Sequence, residues 1–261
     1  MPWSDRVAPF VKQASLADVS SLLASRLISY IDLTSLGEAD TEPMINLLCE
    51  RAITPYGSVA AVCIYPQFVK LAANKLSTTQ VSIATVVNFP RATDVIEKVV
   101  SDIQQAVMHG ADEIDVVFPY SHFLSGAREQ AANFIQQCKT ACGKKILLKV
   151  ILETGALGSL ETIADVSRIA ISAGADFIKT STGKIPIGAT LEAAATMLLV
   201  MKELQPELKY PLGLKISGGI REPEQAVQYI DLANNIMGAN WVSSRTFRIG
   251  ASQLLDKAVL L

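Results

Sequence analysis

Eight short apolar runs rich in β-branched residues recur along the chain, mostly about 30 residues apart, the length of one strand–helix unit. They read LISYIDLT (27–34), SVAAVCIYP (58–66), VSIATVVNFP (81–90), EIDVVFPY (113–120), KILLKVILE (145–153), FIKTST (177–182), LGLKISG (212–218) and NWVSSRT (240–246). Several are almost continuous in Val, Ile and Leu instead of alternating, as parallel strands covered on both faces require. Between them, 96–109, 127–142, 159–173, 189–204 and 222–236 carry spaced apolar residues and few breakers, so they read as helices. Ser159 with Glu161, and the pair Glu222-Pro223, supply helix-start signals.

Eight such units predict an α/β fold of the (β/α)8 TIM-barrel type, with residues 1–261 forming one domain. An open doubly wound sheet usually carries GxGxxG after its first strand, and YIDLTSLGEADTEP is no such fingerprint. Residues 10–26, FVKQASLADVSSLLASR, predict an extra N-terminal helix placed to plug the barrel's N-terminal mouth.

Composition narrows the function classes. Half of the residues are hydrophobic and 18% are charged, against a usual charged share of about 25%, so a large core is easily built. The net charge of −2 and the lack of a basic stripe argue against a nucleic-acid partner. The most apolar stretch, AAATMLLVM at 193–201, is far shorter than a membrane span needs. MPWSDRVAPFVKQ lacks the pattern of a signal peptide. Cys49, Cys63, Cys138 and Cys142 are too few and too scattered for a disulfide framework. A soluble cytoplasmic protein is the expectation. His109 and His122 offer no metal-ligand spacing, so neither a metal nor another cofactor is expected, and His109 reads as a helix C-terminal residue.

Barrels place their functional groups at the C-terminal ends of strands. The ionisable residues there are Asp32, Cys63, Asp115, Lys149, Glu153, Lys179 and Lys215. Three lysines on three neighbouring strands, with an aspartate on the strand beside them, are poor material for a packed core. A second ammonium and partial burial both push a lysine pKa down and turn an inert cation into a nucleophilic amine. Such an amine attacks a carbonyl to give an iminium, which makes C–C cleavage or α-proton removal feasible; Asp115 would limit the positive charge and relay protons. The turns TSTGK (180–184) and SGGI (217–220), with RIGAS (248–252) leading into a last helix, stand where barrels often hold phosphate. Gly218 and Gly219 would let backbone N–H groups approach its oxygens, and Ser252 would add a hydroxyl.

The stretches IDLT, VCIYP, TVVNFP, GADEIDVVFPY, LLKVILETG, GADFIKTSTGK, GLKISGGIR and GAS extend over nearly the whole chain. In this combination the chain resembles the bacterial 2-deoxyribose-5-phosphate aldolases. The resemblance implies a class I, Schiff-base lyase that reversibly cleaves 2-deoxy-D-ribose 5-phosphate to acetaldehyde and D-glyceraldehyde 3-phosphate. By matching position it implies Lys179 as the imine-forming lysine, Lys215 as the neighbour that lowers its pKa, and Asp115 with Lys215 as the proton relay. Asp32, Cys63 and Lys149 would line the pocket, and Gly183, Lys184, Gly218, Gly219 and Ser252 would hold phosphate. A homodimer is the family-level expectation for assembly. Four departures accompany the resemblance: Ile216 after Lys215, Arg91-Ala92 in place of a frequent x-Gly, Gln253 in place of a second serine, and an end at Leu261 without a tyrosine-tipped tail. Two other readings stay open: another phosphate-handling barrel enzyme (an isomerase or a different Schiff-base lyase), and a silent sugar-phosphate-binding barrel.

Overall fold

The structure is a computed structural model that describes residues 1–14 and 24–261. Eight strands, β1 (Ile31–Thr34), β2 (Ala61–Ile64), β3 (Ser82–Val87), β4 (Glu113–Val117), β5 (Leu147–Ile151), β6 (Phe177–Lys179), β7 (Gly213–Ser217) and β8 (Phe247–Ala251), pair in parallel. β8 closes on β1 and β1 on β2, so the sheet is a closed barrel in sequential order. A small antiparallel ribbon, Ile53–Thr54 with Gly57–Ser58, lies outside it.

Side chains alternate along each strand, and the two faces differ in kind. Outward residues such as Ile31, Leu33, Val62, Ile64, Ile114, Val116, Leu148, Val150, Ile178, Leu214, Ile216 and Ile249 are fully buried in one apolar cluster with the helices. This is why those strands read as continuous apolar runs. Each such side chain contributes about 1.5–3 kcal/mol by leaving water. Helices Ile96–Met108, Arg128–Cys142, Leu160–Ser172, Leu191–Leu204 and Pro223–Met237 stand where the periodicity predicts them. Ser159 caps its helix by accepting from the Thr162 N–H at 3.1 Å, and Pro223 follows a capping box of Glu222 and Gln225. His109 is the C-terminal cap residue of Ile96–Met108.

Two expectations change. The eighth strand is Phe247–Ala251, not 240–246. Residues 240–246 are spent on turns: Asn240 has φ 73°, and the backbone of Ser243 and Thr246 is tied through the Thr246 hydroxyl and the Ser243 carbonyl. RIGAS is therefore strand for most of its length, with helix Leu254–Ala258 beyond it. At the N-terminus, helix Trp3–Ala14 packs chiefly against Leu191–Leu204 and Pro223–Met237 in the outer layer, ending where the expected 10–26 helix was to begin its course. A second helix, Ala24–Ser29, leads into β1. The middle of the expected 10–26 helix, residues 15–23, lies outside the described residues.

The barrel interior is small on one side and ionic on the other. Ala61, Cys63, Ala84 and Val86 fill the β2–β3 side. Across from them Gly213 has no room for a side chain, since a Cβ there would sit 2.2 Å from the Phe177 ring. That ring thus occupies the lower interior between β6 and β7, and the Arg248 guanidinium lies over it at 5.8 Å.

Candidate active site

The strand register determines which charges meet. Asp115 pairs with Lys149 across β4–β5, Lys179 with Lys215 across β6–β7, and Lys215 with Arg248 across β7–β8. Asp115 sits at the centre: its Oδ2 accepts from Lys179 Nζ and Lys215 Nζ, each at 2.8 Å, and its Oδ1 accepts from Lys149 Nζ at 2.9 Å. Asp32 Oδ2 lies 2.6 Å from Lys215 Nζ, and Asp32 Oδ1 accepts from Arg248 at 2.7 Å. Glu113 accepts from the other arm of Arg248 at 2.9 Å and also contacts Lys149. Cys63 Sγ lies 4.0 Å from Asp115 Oδ2.

Seven ionisable side chains, Asp32, Glu113, Asp115, Lys149, Lys179, Lys215 and Arg248, are thereby linked into one buried network. Three are carboxylates and four are bases, so one positive charge is in excess. Which base holds its proton least firmly follows from the contacts. Arg248 stays protonated at any physiological pH. Lys149 touches Asp115 and Glu113 and lies 3.9 Å from Asp32; Lys215 touches Asp115 and Asp32; Lys179 touches Asp115 alone. Lys179 is the least compensated.

The electrostatics agree. Burial is the largest influence on Lys179 and pushes its pKa down; Asp115 opposes it, Lys215 adds to it, and the outcome lies below the ordinary lysine value. Burial acts the same way on Lys215, but Asp115 and Asp32 overcome it and hold that ammonium well above the ordinary value. Lys149 is likewise raised, chiefly by Asp115 and Glu113 against burial. Burial alone would raise the carboxyl of Asp115, yet the three lysines hold it well below the usual range; Asp32 is lowered by Lys215, Arg248 and Lys149. Burial pushes the Cys63 thiol up, so it is kept as a thiol. The arrangement offers one deep amine poised to attack a carbonyl, with a carboxylate and a fixed ammonium within proton-transfer reach.

Above Lys179 a cavity of about 410 Å³ opens, lined by Gly183, Lys184, Gly218, Gly219, Arg221 and Ser252 among others. Its rim is stitched together by polar side chains. Thr180 Oγ1 donates to the Ser217 carbonyl and accepts from the Ser217 N–H, both at 2.9 Å. Glu153 turns away from the lysines and accepts from the Thr182 N–H and hydroxyl. Lys184 Nζ donates to the Leu36 carbonyl at 2.6 Å. Gly218 has φ 91°, and a Cβ there would lie 2.8 Å from the Gly188 backbone, so no other residue fits that turn.

The site residues read from the sequence fall in the network or around this cavity, except Cys63, which lies beside Asp115 at the edge of the network, and Glu153, which serves the turn instead. Glu113 and Arg248 were missed. Glu113 was legible as the residue two before Asp115, on the same strand face. Arg248 lay in a segment read as leading into the last helix, with the eighth strand placed before it, so its register with Lys215 was hidden. Arg221, immediately after the glycine turn, adds an exposed cation to the cavity wall.

The profile of the DeoC/LacD family aldolases matches residues 26–257. The chain belongs to this aldolase family. Solved structures agree with that placement. A protein from Coccidioides immitis with the provisional name deoxyribose-phosphate aldolase is 28% identical with a TM-score of 0.79, the match covering 98% of this chain and 97% of that one. QR15, an aldolase, is 30% identical with a TM-score of 0.76, covering 90% and 95%. The tetrameric deoxyribose phosphate aldolase of Aeropyrum pernix is 26% identical with a TM-score of 0.75, covering 97% of each chain. The aldolase is thus a carbon–carbon lyase on a TIM barrel, and among its described residues no helix is long and apolar enough to cross a membrane.

Proposed function

We propose that this aldolase reversibly cleaves 2-deoxy-D-ribose 5-phosphate to D-glyceraldehyde 3-phosphate and acetaldehyde, with Lys179 forming the imine. The observation that carries this reading is the single excess cation of the buried network, which falls on the one lysine of that network facing the cavity. The neutral Lys179 amine adds to the C1 aldehyde, and loss of water gives the iminium. A base takes the proton of the C3 hydroxyl, and that oxygen becomes the carbonyl of the departing three-carbon aldehyde. The C2–C3 bonding pair passes into the iminium as an enamine. Protonation of the enamine at C2, then hydrolysis, frees acetaldehyde and restores the amine. Asp115, in contact with both Lys179 and Lys215, is placed to pass these protons, and Lys215 keeps the site positive enough to favour the neutral amine. Asp32, Cys63 and Lys149 line the reacting end. Gly183, Lys184, Gly218, Gly219 and Ser252 take the phosphate at the mouth through backbone N–H groups, an ammonium and a hydroxyl.

A homodimer resident in the cytoplasm belongs to the same reading; the four cysteines, all buried and unpaired, suit a reducing compartment. Sedimentation at micromolar protein tests the dimer. For the chemistry, the protein is incubated with acetaldehyde and then borohydride, and its intact mass is measured. The expected result is a gain of one ethyl group, mapped to Lys179 and absent from Lys179→Leu. An unmodified wild-type chain that still binds the sugar phosphate would overturn the Schiff-base reading.

A further inference from the structure

Arg248 and Glu113 touch no part of the cavity, yet they complete the ionic network beneath it. Arg248 grips Asp32 with one guanidinium nitrogen and Glu113 with the other, while Glu113 also contacts Lys149. Elsewhere the floor is apolar, with the Phe177 ring packed over Gly213. Burying an arginine and a glutamate together is no reliable source of stability, because desolvation offsets their attraction. Their other effect is arithmetic. With both present the network holds four bases against three acids; without either one the balance shifts by one charge.

We propose that Arg248 and Glu113 are positioning residues that set the charge balance under Lys179, so that removing one or the other changes the availability of its free amine in opposite directions. This rests on Lys179 being the reactive amine of the proposed reaction. Without Arg248, three carboxylates face three lysines and every lysine keeps its proton. Without the Glu113 carboxylate, two carboxylates face four bases, and the least compensated of them, Lys179, sheds its proton more readily. Loss of both restores the native balance. The groups facing Lys179 are Asp32 from β1, Cys63 from β2, Glu113 and Asp115 from β4, Lys149 from β5, Lys215 from β7 and Arg248 from β8. Around the cavity lie Asp40, Lys184 and Arg221, and Glu153 is bound to Thr182. β3 contributes no charge to the interior; its inward side chains are Ala84 and Val86.

The test measures Lys179 directly. Wild type, Arg248→Met, Glu113→Gln and the double variant are exposed to trace acetic anhydride at a series of pH values, and acetylation of Lys179 is read by peptide mass. A change of one pH unit in the midpoint is a tenfold change in free amine on the acidic side. At neutral pH we expect about tenfold less labelling in Arg248→Met, about tenfold more in Glu113→Gln, and a return to within about threefold of wild type in the double variant. Shifts in the same direction for both single variants, or no shift in Glu113→Gln, would overturn the proposal. Should Arg248→Met fail to fold, the nearly isosteric Glu113→Gln and the charge-balanced double variant still decide it. Labelling reports amine basicity whether or not sugars react. A missing borohydride adduct would therefore sink the proposed reaction, and an unchanged labelling midpoint would sink the charge-setting pair.

Discussion

Along β6, Ile178 points into the apolar layer beneath the helices, and the next residue, Lys179, points into the ionic interior. Both are almost wholly buried, yet one burial is favourable and the other is tolerated. The outer face of the barrel resembles an ordinary core, where shape and area decide stability. The inner face is held by matched charges, which contribute little net stability and fix the protonation state of one amine. The lesson of the comparison is that a single strand divides its labour by residue parity.

The largest expected effect is on the inner face. Lys179→Met should lower turnover by on the order of 10⁴-fold or more while leaving the fold intact. It should also raise the urea midpoint at neutral pH. The native state holds the Lys179 pKa below its ordinary value, so the unfolded chain binds this proton more readily, and deleting the group removes that penalty. The gain should shrink as the pH rises toward the ordinary lysine value, where folded and unfolded lysines are both losing the proton. A lower midpoint in Lys179→Met would break the contrast. On the outer face, Ile178→Ala should cost about 2–5 kcal/mol in urea unfolding. Activity per folded molecule should stay close to wild type, and a large loss would show that the faces are mechanically coupled.

Acid separates the faces without mutation. Asp32 and Asp115 are held below the usual carboxylate range, so their stabilising contribution is complete above about pH 5 and is lost as pH falls through their folded values. Urea midpoints should fall progressively there for wild type, and less steeply in an Asp32→Asn variant. Equal slopes would place the acid sensitivity elsewhere. The smallest effect is expected at the rim. Ser252→Ala should raise KM for the phosphorylated sugar about tenfold, the loss of about one hydrogen bond to a charged group, with no change for the unphosphorylated sugar. An equal change for both would mean that Ser252 does not see the phosphate.

The outer face was legible in the sequence because apolar runs follow from burial on both sides of a parallel sheet. The buried lysines were legible for the converse reason: each broke such a run. β8 was not legible, and the cause is physical. Its inward positions are Arg248 and Gly250, the first demanded by Asp32 and Glu113, the second by the close approach of Lys215 and Ser217, whose atoms would lie 3.2 and 3.1 Å from a Cβ. An arginine and a glycine in a five-residue run look like a turn, whereas Trp241-Val242 just before them look like a strand. Local preference lost to the requirements of the interior. Ala92 shows the reverse case: it adopts φ 57° where glycine is the easier choice, at the position where the resemblance leads one to expect glycine.

The Phe177 ring seated over Gly213 has a consequence for traffic. Among the described residues that ring and the ion pairs around it fill the lower interior, and the cavity above reaches Lys179 at its far end. In the proposed reaction the phosphate-bearing fragment would stand between the lysine and the exit. In cleavage the three-carbon product must therefore depart while the two-carbon fragment is still attached. In synthesis acetaldehyde must enter first. The covalent bond to Lys179 would set this order, and the shape of the barrel would reinforce it with no moving gate required.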